Sequence, residues 1–202
     1  MCQNCQNKVV EKAPFRVDHV GSYLRPKELV EAREKFAKGE LSKEELTKVE
    51  DKLIAELVEK QIAAGLKGVT DGEFRRAYWH LDFFWGLNGI EHVQGEKGYP
   101  FKGIETKPDT AKVSGKISGE NHPFVEHFKY LRDITKDKDV VVKLTIPSPS
   151  QLYFELIRTE DHIKSYEQFY SNFDELKAAI VAAYKQVIND LYNEGLRVLQ
   201  FD

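Results

Sequence analysis

Two carboxylate residues, each at the end of a predicted strand, are the side chains of this sequence best suited to chemistry. Glu73 lies in the segment T-D-G-E-F-R-R, a glycine turn followed by two arginines, and Asp202 follows the largely apolar residues 197–201. Two carboxylates in one cavity raise each other's pKa unless a cation lies between them. A substrate ammonium group is therefore the ligand that we expect. The alternative for Glu73 is a surface ion pair with a neighbouring arginine.

The turn after the first predicted strand offers groups that suit the other end of an amino acid. Gly21 has no side chain to block an approach, and Ser22 adds a hydroxyl and a backbone N–H group. Such groups can bind a carboxylate. With Glu73 and Asp202 they would hold both charged ends of an α-amino acid. The spacing is equally consistent with a turn that only joins a strand to a helix.

A second group of candidates is polar or aromatic and lies near the same predicted strand ends. Trp79 could stack on a flat heterocycle, although aromatic residues at helical spacing more often pack in a core. His80 is more often a packing or hydrogen-bonding histidine than a catalytic one. The remaining candidates are His19, Asp71 and Pro147.

The elements that must position these residues alternate between strand-like and helix-like segments, which is typical of a parallel α/β architecture. Strands are predicted at residues 15–20, 68–70, 111–117, 140–146 and 197–201. Helices are predicted at residues 26–38, 42–65, 123–134, 150–157 and 174–193, residues 77–87 are helical or irregular, and residues 89–107 form an excursion. Ser42 and Glu45 form a capping box at the start of the second helix. The fourth strand is aliphatic or β-branched except for Lys143, which indicates burial on both faces.

These segments fit part of a barrel better than a dinucleotide-binding sheet. Such a sheet has G-x-G-x-x-G after its first strand, and this chain has H-V-G-S-Y-L-R-P there. The polar candidates instead follow the carboxyl ends of strands, where barrel active sites are assembled. We predict an incomplete (β/α)8 TIM barrel of about five βα units at residues 15–202, preceded by a flexible tail at residues 1–14.

Composition excludes several classes of partner. Of the 202 residues, 41% are hydrophobic and 31% are charged, and the net charge of −3 comes from interleaved signs. This pattern favours neither nucleic acid nor a charged membrane surface. No apolar run approaches the roughly 20 residues that cross a bilayer, and the first residues are polar where a secretory signal would be apolar. We expect a cytoplasmic protein.

The two cysteines of the chain, Cys2 and Cys5, form a C-x-x-C motif near the amino terminus. A structural zinc site needs four ligands, and no matching pair of histidines accompanies the motif. A reducible tail is the commoner role for such a pair, so we predict no metal ligand in this chain.

Four segments together resemble a known family. They read V-D-H-V-G-S-Y-L-R-P at residues 17–26, V-T-D-G-E-F-R-R-A-Y-W-H-L-D-F-F-W-G-L-N-G at residues 69–89, K-L-T-I-P-S-P-S at residues 143–150 and L-Q-F-D at residues 199–202. They resemble the short, single-barrel relatives of cobalamin-independent methionine synthase, which are described as homocysteine methyltransferases. The resemblance runs from about residue 15 to the end, and it is most specific in the second segment.

The resemblance implies an amino-acid site. By position, the family's Ile-Gly-Ser segment, which holds the homocysteine carboxylate, falls on Val20, Gly21 and Ser22. The family's glutamate and aspartate that bind the substrate ammonium fall on Glu73 and Asp202.

Other parts of the resemblance bear on specificity. Residues 145–147 fall where the family's fourth strand approaches the folate site. Val20 replaces the usual isoleucine, and residues 23–25 differ from the pattern of the true synthases. Which thiol accepts the methyl group, and which donor supplies it, therefore stays open.

The resemblance also implies the chemistry. Methyl transfer from a tertiary amine to a thiol needs a thiolate and a proton donor for the departing nitrogen. In the family a zinc ion binds the substrate sulfur, and the methyl donor is 5-methyltetrahydrofolate. The family's zinc ligands and donor histidine belong to later strands, beyond Asp202. We therefore expect zinc in the complete barrel but no zinc ligands within this chain, which alone would be inactive.

Three interpretations follow. The first is a truncated homocysteine S-methyltransferase of methionine biosynthesis, whose exposed edge at residues 198–201 pairs with further strands or with another chain. The second is a non-catalytic domain that binds an amino acid or thiol. The third is a barrel decarboxylase of the uroporphyrinogen type, which shares the fold but has no motif support here.

Overall fold

The structure is a computed structural model, and it describes residue 15 and residues 17–202 except residues 96, 97, 99–101, 104, 105 and 107. The predicted tail at residues 1–14, with both cysteines, lies outside the described residues. Among the described residues, no helix combines the length and apolar character needed to cross a membrane.

The described chain alternates helices and strands. The helices are α1 (Lys27–Ala37), α2 (Lys43–Ala63), α3 (Leu81–Trp85), α4 (Pro123–Thr135), α5 (Pro149–Leu156), α6 (Glu160–Tyr166) and α7 (Phe173–Asn193). The strands are β1 (Gly68–Val69), β2 (Asn88–Gln94), β3 (Asp109–Ser118), β4 (Val141–Ile146) and β5 (Val198–Phe201). Two compact units contain them. The first unit comprises residues up to Trp79, Glu126–Thr145 and Tyr192–Gln200, and the second comprises His80–Val125, Ile146–Leu191 and Phe201–Asp202.

A three-stranded sheet has the order β1-β4-β5. The strands β1 and β4 run parallel, with Gly68 opposite Val141 and Val69 opposite Val142. Three of the five predicted strands, those at residues 68–70, 140–146 and 197–201, therefore form this sheet.

The other two predicted strands differ from expectation. The described residues of 15–20 form no strand, because side-chain contacts rather than a backbone ladder hold this segment. The strand predicted at residues 111–117 exists as β3, but it pairs antiparallel with β2. Except for Asn88, β2 lies in the excursion predicted at residues 89–107, and it pairs Ile90 with Val113 and His92 with Ala111. The short helix α6 was not predicted.

The first unit is built around helix α2. The capping box at Ser42 and Glu45 is confirmed, with both reciprocal hydrogen bonds present. The apolar stripe of α2 packs on α1, on the turn after β1 and on α4. The buried members of this cluster are Leu29, Leu53, Ile54, Leu57, Val58, Phe74 and Leu131.

The second unit has an aromatic centre at Phe83 of α3. The Phe83 ring lies 4.4 Å from the ring of His122, 5.3 Å from Phe124 and 5.1 Å from Tyr184, measured between centroids. Burial raises the pKa of Tyr184, whose hydroxyl donates to the carbonyl of Pro147 at 3.1 Å. The aromatic stretch of the sequence thus forms core in this unit.

A polar network ties the β2–β3 hairpin to helices α5 and α6 in the second unit. The Thr110 hydroxyl donates to the Glu155 carboxylate, and it lies 3.0 Å from Nε2 of His162. Nδ1 of His162 lies 2.7 Å from the hydroxyl of Thr159. Because Thr110 has a single hydroxyl proton, Nε2 of His162 is the protonated nitrogen and Nδ1 accepts. Burial lowers the pKa of His162, which favours this neutral ring.

One side chain takes the place of a strand partner at the end of β1. Gln61 of α2 is buried, its Nε2 donates to the carbonyl of Thr70 at 2.8 Å, and its Oε1 accepts from the N–H of Thr70 at 3.0 Å. Both backbone groups of Thr70 are thereby satisfied. Gln61 fixes the point at which the strand becomes the turn that carries Glu73.

Replacement of Gln61 by leucine should lower the free energy of unfolding by about 2–4 kcal/mol, because two buried backbone groups lose their partners. Urea denaturation followed by circular dichroism measures this. Gln168→Leu is the control, since Gln168 is exposed beyond α6 and should change the value by less than about 0.5 kcal/mol. Equal effects of the two substitutions would contradict the role of Gln61.

Candidate functional site

The turn after β1 presents Glu73, and its shape is set by its neighbours. The hydroxyl of Thr70 accepts from the N–H of Gly72 at 3.1 Å, and Oδ1 of Asp71 accepts from the N–H of Glu73 at 2.9 Å. At Gly72, with φ +66°, a Cβ would collide with the side chain of Leu57. Asp71, a candidate ligand from sequence, therefore uses Oδ1 to shape the turn.

The backbone of Glu73 is strained. Its φ is +59°, in the left-handed region that costs a residue with a side chain about 1–2 kcal/mol. Residues held in this region cluster at functional sites, where the surrounding structure enforces them. Here the enforcing contacts are the Asp71 bond and the Arg25 guanidinium, which lies 3.5 Å from the Glu73 carbonyl.

The Glu73 carboxylate is buried and compensated. Only 4% of the residue is exposed, and Oε1 accepts from the Thr145 hydroxyl at 3.1 Å and lies 3.7 Å from the Arg76 guanidinium. No described residue donates a hydrogen bond to Oε2. The ion pair considered as an alternative thus exists, but in the interior rather than on the surface. It leaves one carboxylate oxygen for a ligand.

Arg76 is itself fixed by backbone carbonyls. It is 2% exposed, and it donates to the carbonyl of Thr145 at 2.6 Å and to that of Trp79 at 3.2 Å. The resemblance places residues 145–147 near the folate site. In this structure the hydroxyl of Thr145 donates to the Glu73 carboxylate, and the carbonyl of Thr145 accepts from Arg76.

Arg75, the other arginine of the motif, has a different set of partners. It forms ion pairs with Glu50 at 3.3 Å and with Asp51, both on α2. Its guanidinium also lies 5.1 Å from the centre of the Tyr130 ring. Burial raises the pKa of Glu50, whereas the cations of Lys43, Arg33 and Arg75 lower it. The two arginines therefore anchor the turn on opposite sides.

The Gly21–Ser22 segment lies against the turn that carries Glu73. The N–H of Tyr23 donates to the carbonyl of Gly72 at 3.2 Å, and the Arg25 guanidinium donates to the carbonyl of Arg76 at 2.8 Å. The structure thus brings together two of the three predicted site segments within the first unit. Gly21 has φ +82°, and Ser22 is exposed to solvent.

Three other predicted candidates, His19, Val20 and Trp79, also belong to the first unit. Val20 is 59% exposed and Trp79 is 39% exposed, so neither is part of the core. The His19 ring stacks on the Tyr23 ring with a centroid distance of 3.7 Å. Nε2 of His19 is buried and has no hydrogen-bond partner among the described residues.

The remaining candidates belong to the second unit. Asp202 extends β5, because its N–H donates to the carbonyl of Ile146 at 3.0 Å and its carbonyl accepts from the N–H of Ser148 at 2.9 Å. Pro147 is buried and accepts from Tyr184. Burial lowers the pKa of His80, whose ring meets Phe84 edge-on at 5.8 Å. The convergence of Asp202 with Glu73 stays a prediction.

Sequence reasoning missed several polar residues of the first unit. Arg25, Arg76 and Lys143 all contact the predicted site segments or their backbone. Lys143 gave a signal, because it interrupts an otherwise apolar strand. Arg76 is one of the two arginines considered as an ion-pair partner of Glu73, whereas Arg25 gave no signal, since charged residues are common next to turns.

His127 on α4 is a further missed residue, with electrostatic links to the turn. Its pKa is lowered from the ordinary 6.5 to about 4, mainly by burial. The cations of Arg75, Arg76 and Lys43 also lower it, and Asp71 raises it. Burial, aided by the nearby cations, thus keeps this imidazole neutral near pH 7.

No group of three or more histidine, cysteine, aspartate or glutamate side chains suited to a metal ion occurs among the described residues. The described side chains therefore do not fit a zinc ion by themselves.

Comparison with known proteins gives a consistent result. The family model described as the catalytic domain of cobalamin-independent synthase matches residues 15–202. The uncharacterized protein YxjH of Bacillus subtilis is 41% identical over 95% of this chain and 48% of its own length. Methionine synthase of Saccharolobus solfataricus is 26% identical over 91% of this chain and 51% of its own length.

A solved structure is similar as well. It is a protein of Listeria monocytogenes assigned as a vitamin-B12-independent methionine synthase, with 39% identity and a TM-score of 0.73. The match covers 94% of this chain and 52% of the other. The fold is that of a partial barrel of this type, and the chain spans about half the length of the relatives it matches.

The strain at Glu73 predicts an order of stabilities for two substitutions. Glu73→Gly and Glu73→Ala both remove the carboxylate, but only glycine relieves the left-handed backbone. We expect the glycine variant to be more stable than the alanine variant by a few tenths to about 1 kcal/mol, after the larger chain entropy of unfolded glycine is subtracted. Thermal and urea unfolding measure the difference. An alanine variant that is more stable would contradict the strain.

His127 predicts a pH dependence of stability. Between about pH 6.5 and 4 the unfolded chain binds a proton at this residue that the folded chain does not, so the free energy of unfolding falls as the pH falls. Relative to the variant His127→Gln, the wild type should lose up to about 3 kcal/mol more across this window. Urea titrations at several pH values measure this. The pKa values of His80 and His162 are also lowered by burial, so the variant keeps part of the slope. Parallel curves for the two proteins would contradict the prediction.

Proposed function

The chain belongs to the family of cobalamin-independent synthases, and we propose that it carries the amino-acid clamp of a homocysteine S-methyltransferase. The observation that supports this most is the buried Glu73 carboxylate, whose Oε1 contacts Thr145 and Arg76 while Oε2 accepts no hydrogen bond from a described residue. The docking of the Gly21–Ser22 segment on the same turn adds a second group of suitable chemistry.

In the proposed mode, the two ends of the substrate bind different segments. Oε2 of Glu73 accepts from the homocysteine ammonium, while Arg76 and Thr145 keep Oε1 in place. The backbone N–H groups and hydroxyl of Gly21–Ser22 donate to the substrate carboxylate. Charged donors and acceptors of this kind give orientation as well as affinity, and orientation decides whether the thiol meets its methyl donor.

The charge balance explains the proposed use of two carboxylates. Arg76 already pairs with Glu73, so these two groups together are nearly neutral. A substrate ammonium bound there needs another anion nearby, because an unpaired buried charge is costly. Asp202 is the residue that we propose for this anion, as the family resemblance implies.

The methyl transfer itself needs groups other than these. When bound, zinc in such enzymes stabilises the substrate sulfur as a thiolate. The described residues hold no group suited to it, so we assign no zinc ligand and no methyl-transfer step to them. The proposed methyl donor is 5-methyltetrahydrofolate, as the resemblance implies. The role proposed for this chain is to bind and orient the amino acid.

Calorimetric titration with L-homocysteine tests the clamp. Glu73→Gln should raise the dissociation constant by about 10- to 100-fold, since it removes a charged hydrogen bond to the ammonium. Ser22→Ala should raise it by about 3- to 10-fold. Glu126→Gln is the matched control, because the side chain of Glu126 is 72% exposed and, among the described residues, pairs only with Lys129.

The results separate the interpretations. Unchanged affinity in Glu73→Gln would refute the clamp, and the absence of binding by the wild type would refute the proposed substrate. Binding without methyl transfer when 5-methyltetrahydrofolate and zinc are supplied would favour the non-catalytic binding domain.

A further inference from the structure

Lys143, the charged residue of β4, is buried, and its side chain contacts residues 18 and 19. Lys143 is 2% exposed, and its Nζ donates to Oδ2 of Asp18 at 2.8 Å and to the carbonyl of His19 at 2.9 Å. These are all the polar contacts of Lys143 among the described residues. A buried ammonium is costly unless it is paired, so its partners are held closely.

The segment that receives these bonds has no regular structure of its own. The described residues of 15–22 form neither helix nor strand, so individual contacts fix their position. Lys143 provides the contact before Gly21–Ser22, and the bond from Tyr23 to Gly72 provides the contact after it. The proposed carboxylate-binding residues lie between these two anchors.

The same strand also holds the other half of the clamp. Thr145, two residues after Lys143, donates to the Glu73 carboxylate at 3.1 Å. Residues two apart in a strand point to the same face. One face of β4 therefore contacts the Glu73 side through Thr145 and the Gly21–Ser22 side through Lys143.

We propose that Lys143 is a positioning residue that sets the place of the carboxylate-binding segment relative to Glu73, an inference that rests on the proposed function. Lys143 does not touch the substrate in this scheme. Its hydrogen bonds to Asp18 and His19 limit the motion of Gly21–Ser22, so the substrate carboxylate meets donors that are already in place. Loss of Lys143 should therefore weaken binding of the carboxylate end and spare binding of the ammonium end.

Three variants of the intact protein test this. Lys143→Met replaces a buried cation by an apolar side chain in an apolar strand, a change that is often tolerated. Asp18→Ala removes the acceptor from a residue whose side chain is 30% exposed and keeps Lys143. Lys67→Met is the control, because Lys67 also bonds a carboxylate and a carbonyl, both of Asp139, but on the exposed surface.

The first measurement is hydrogen exchange without any ligand. In Lys143→Met, and to a smaller degree in Asp18→Ala, the amide of Tyr23, which donates to the carbonyl of Gly72, should exchange about 10-fold faster or more, and in Lys67→Met it should exchange at the wild-type rate. Exchange in helix α2 should stay unchanged, which shows that the fold is intact. Unchanged exchange of the Tyr23 amide in Lys143→Met would overturn the inference.

The second measurement is calorimetric binding of two thiols. One is L-homocysteine, and the other is 3-aminopropane-1-thiol, which has the same thiol and amine but no carboxylate. The wild type should bind homocysteine more tightly than 3-aminopropane-1-thiol. In Lys143→Met the ratio of these two affinities should fall about 10-fold or more, while the affinity for 3-aminopropane-1-thiol stays within about threefold of the wild-type value. Equal weakening of both thiols would mean a merely structural role and would also overturn the inference.

Failure of the proposed function would give a different result from failure of the inference about Lys143. A wild type that binds neither thiol would refute the substrate assignment, and the exchange measurement would then decide by itself whether Lys143 fixes the segment.

Discussion

The burial of the Glu73 carboxylate is the constraint on which the first unit depends. A carboxylate in the interior requires a cation and hydrogen-bond donors, because its loss of water is otherwise too costly. Arg76 and Thr145 meet that requirement through Oε1. Arg76 is buried as well, so its remaining donors need acceptors, which the carbonyls of Thr145 and Trp79 provide. One buried charge thus fixes the end of β4 and the segment after the turn.

The outer side of the turn is held by a second network of charges. Arg75 extends to Glu50 and Asp51 on α2, and Arg33 of α1 donates to the carbonyl of Phe74. Adjacent arginines in the sequence therefore act in opposite directions, one toward the sheet and one toward the helices. This double anchorage explains how the left-handed conformation of Glu73 persists in spite of its cost.

The two units handle buried polar groups differently. Around Glu73 the groups are charged, and one carboxylate oxygen accepts no hydrogen bond from a described residue. In the second unit, the network of Thr110, Glu155 and His162 has donors and acceptors matched on each side of the threonine hydroxyl. A matched network stabilises a hairpin but offers nothing to a ligand, whereas an incompletely matched one is suited to binding. This contrast supports the proposal that Glu73 contributes to an amino-acid site.

Elements with strong local signals could be predicted from the amino-acid order. The capping box at Ser42, the apolar stripe of α2 and the aliphatic run of β4 each depend on residues close together in the chain, and the structure has all three. The resemblance in the second motif also gave the family, since its residues are specific without any knowledge of contacts.

The contacts between distant polar residues could be learned from the folded chain alone. It placed Thr145 on Glu73, and it placed Lys143 on Asp18, 125 residues away in sequence. It also showed that residues 15–20 are not a strand and that β3 pairs with β2 outside the parallel sheet. Local patterns could not settle these points, because pairing and charge compensation depend on which distant groups share a low-dielectric interior. A residue's own neighbours in the chain do not specify that environment.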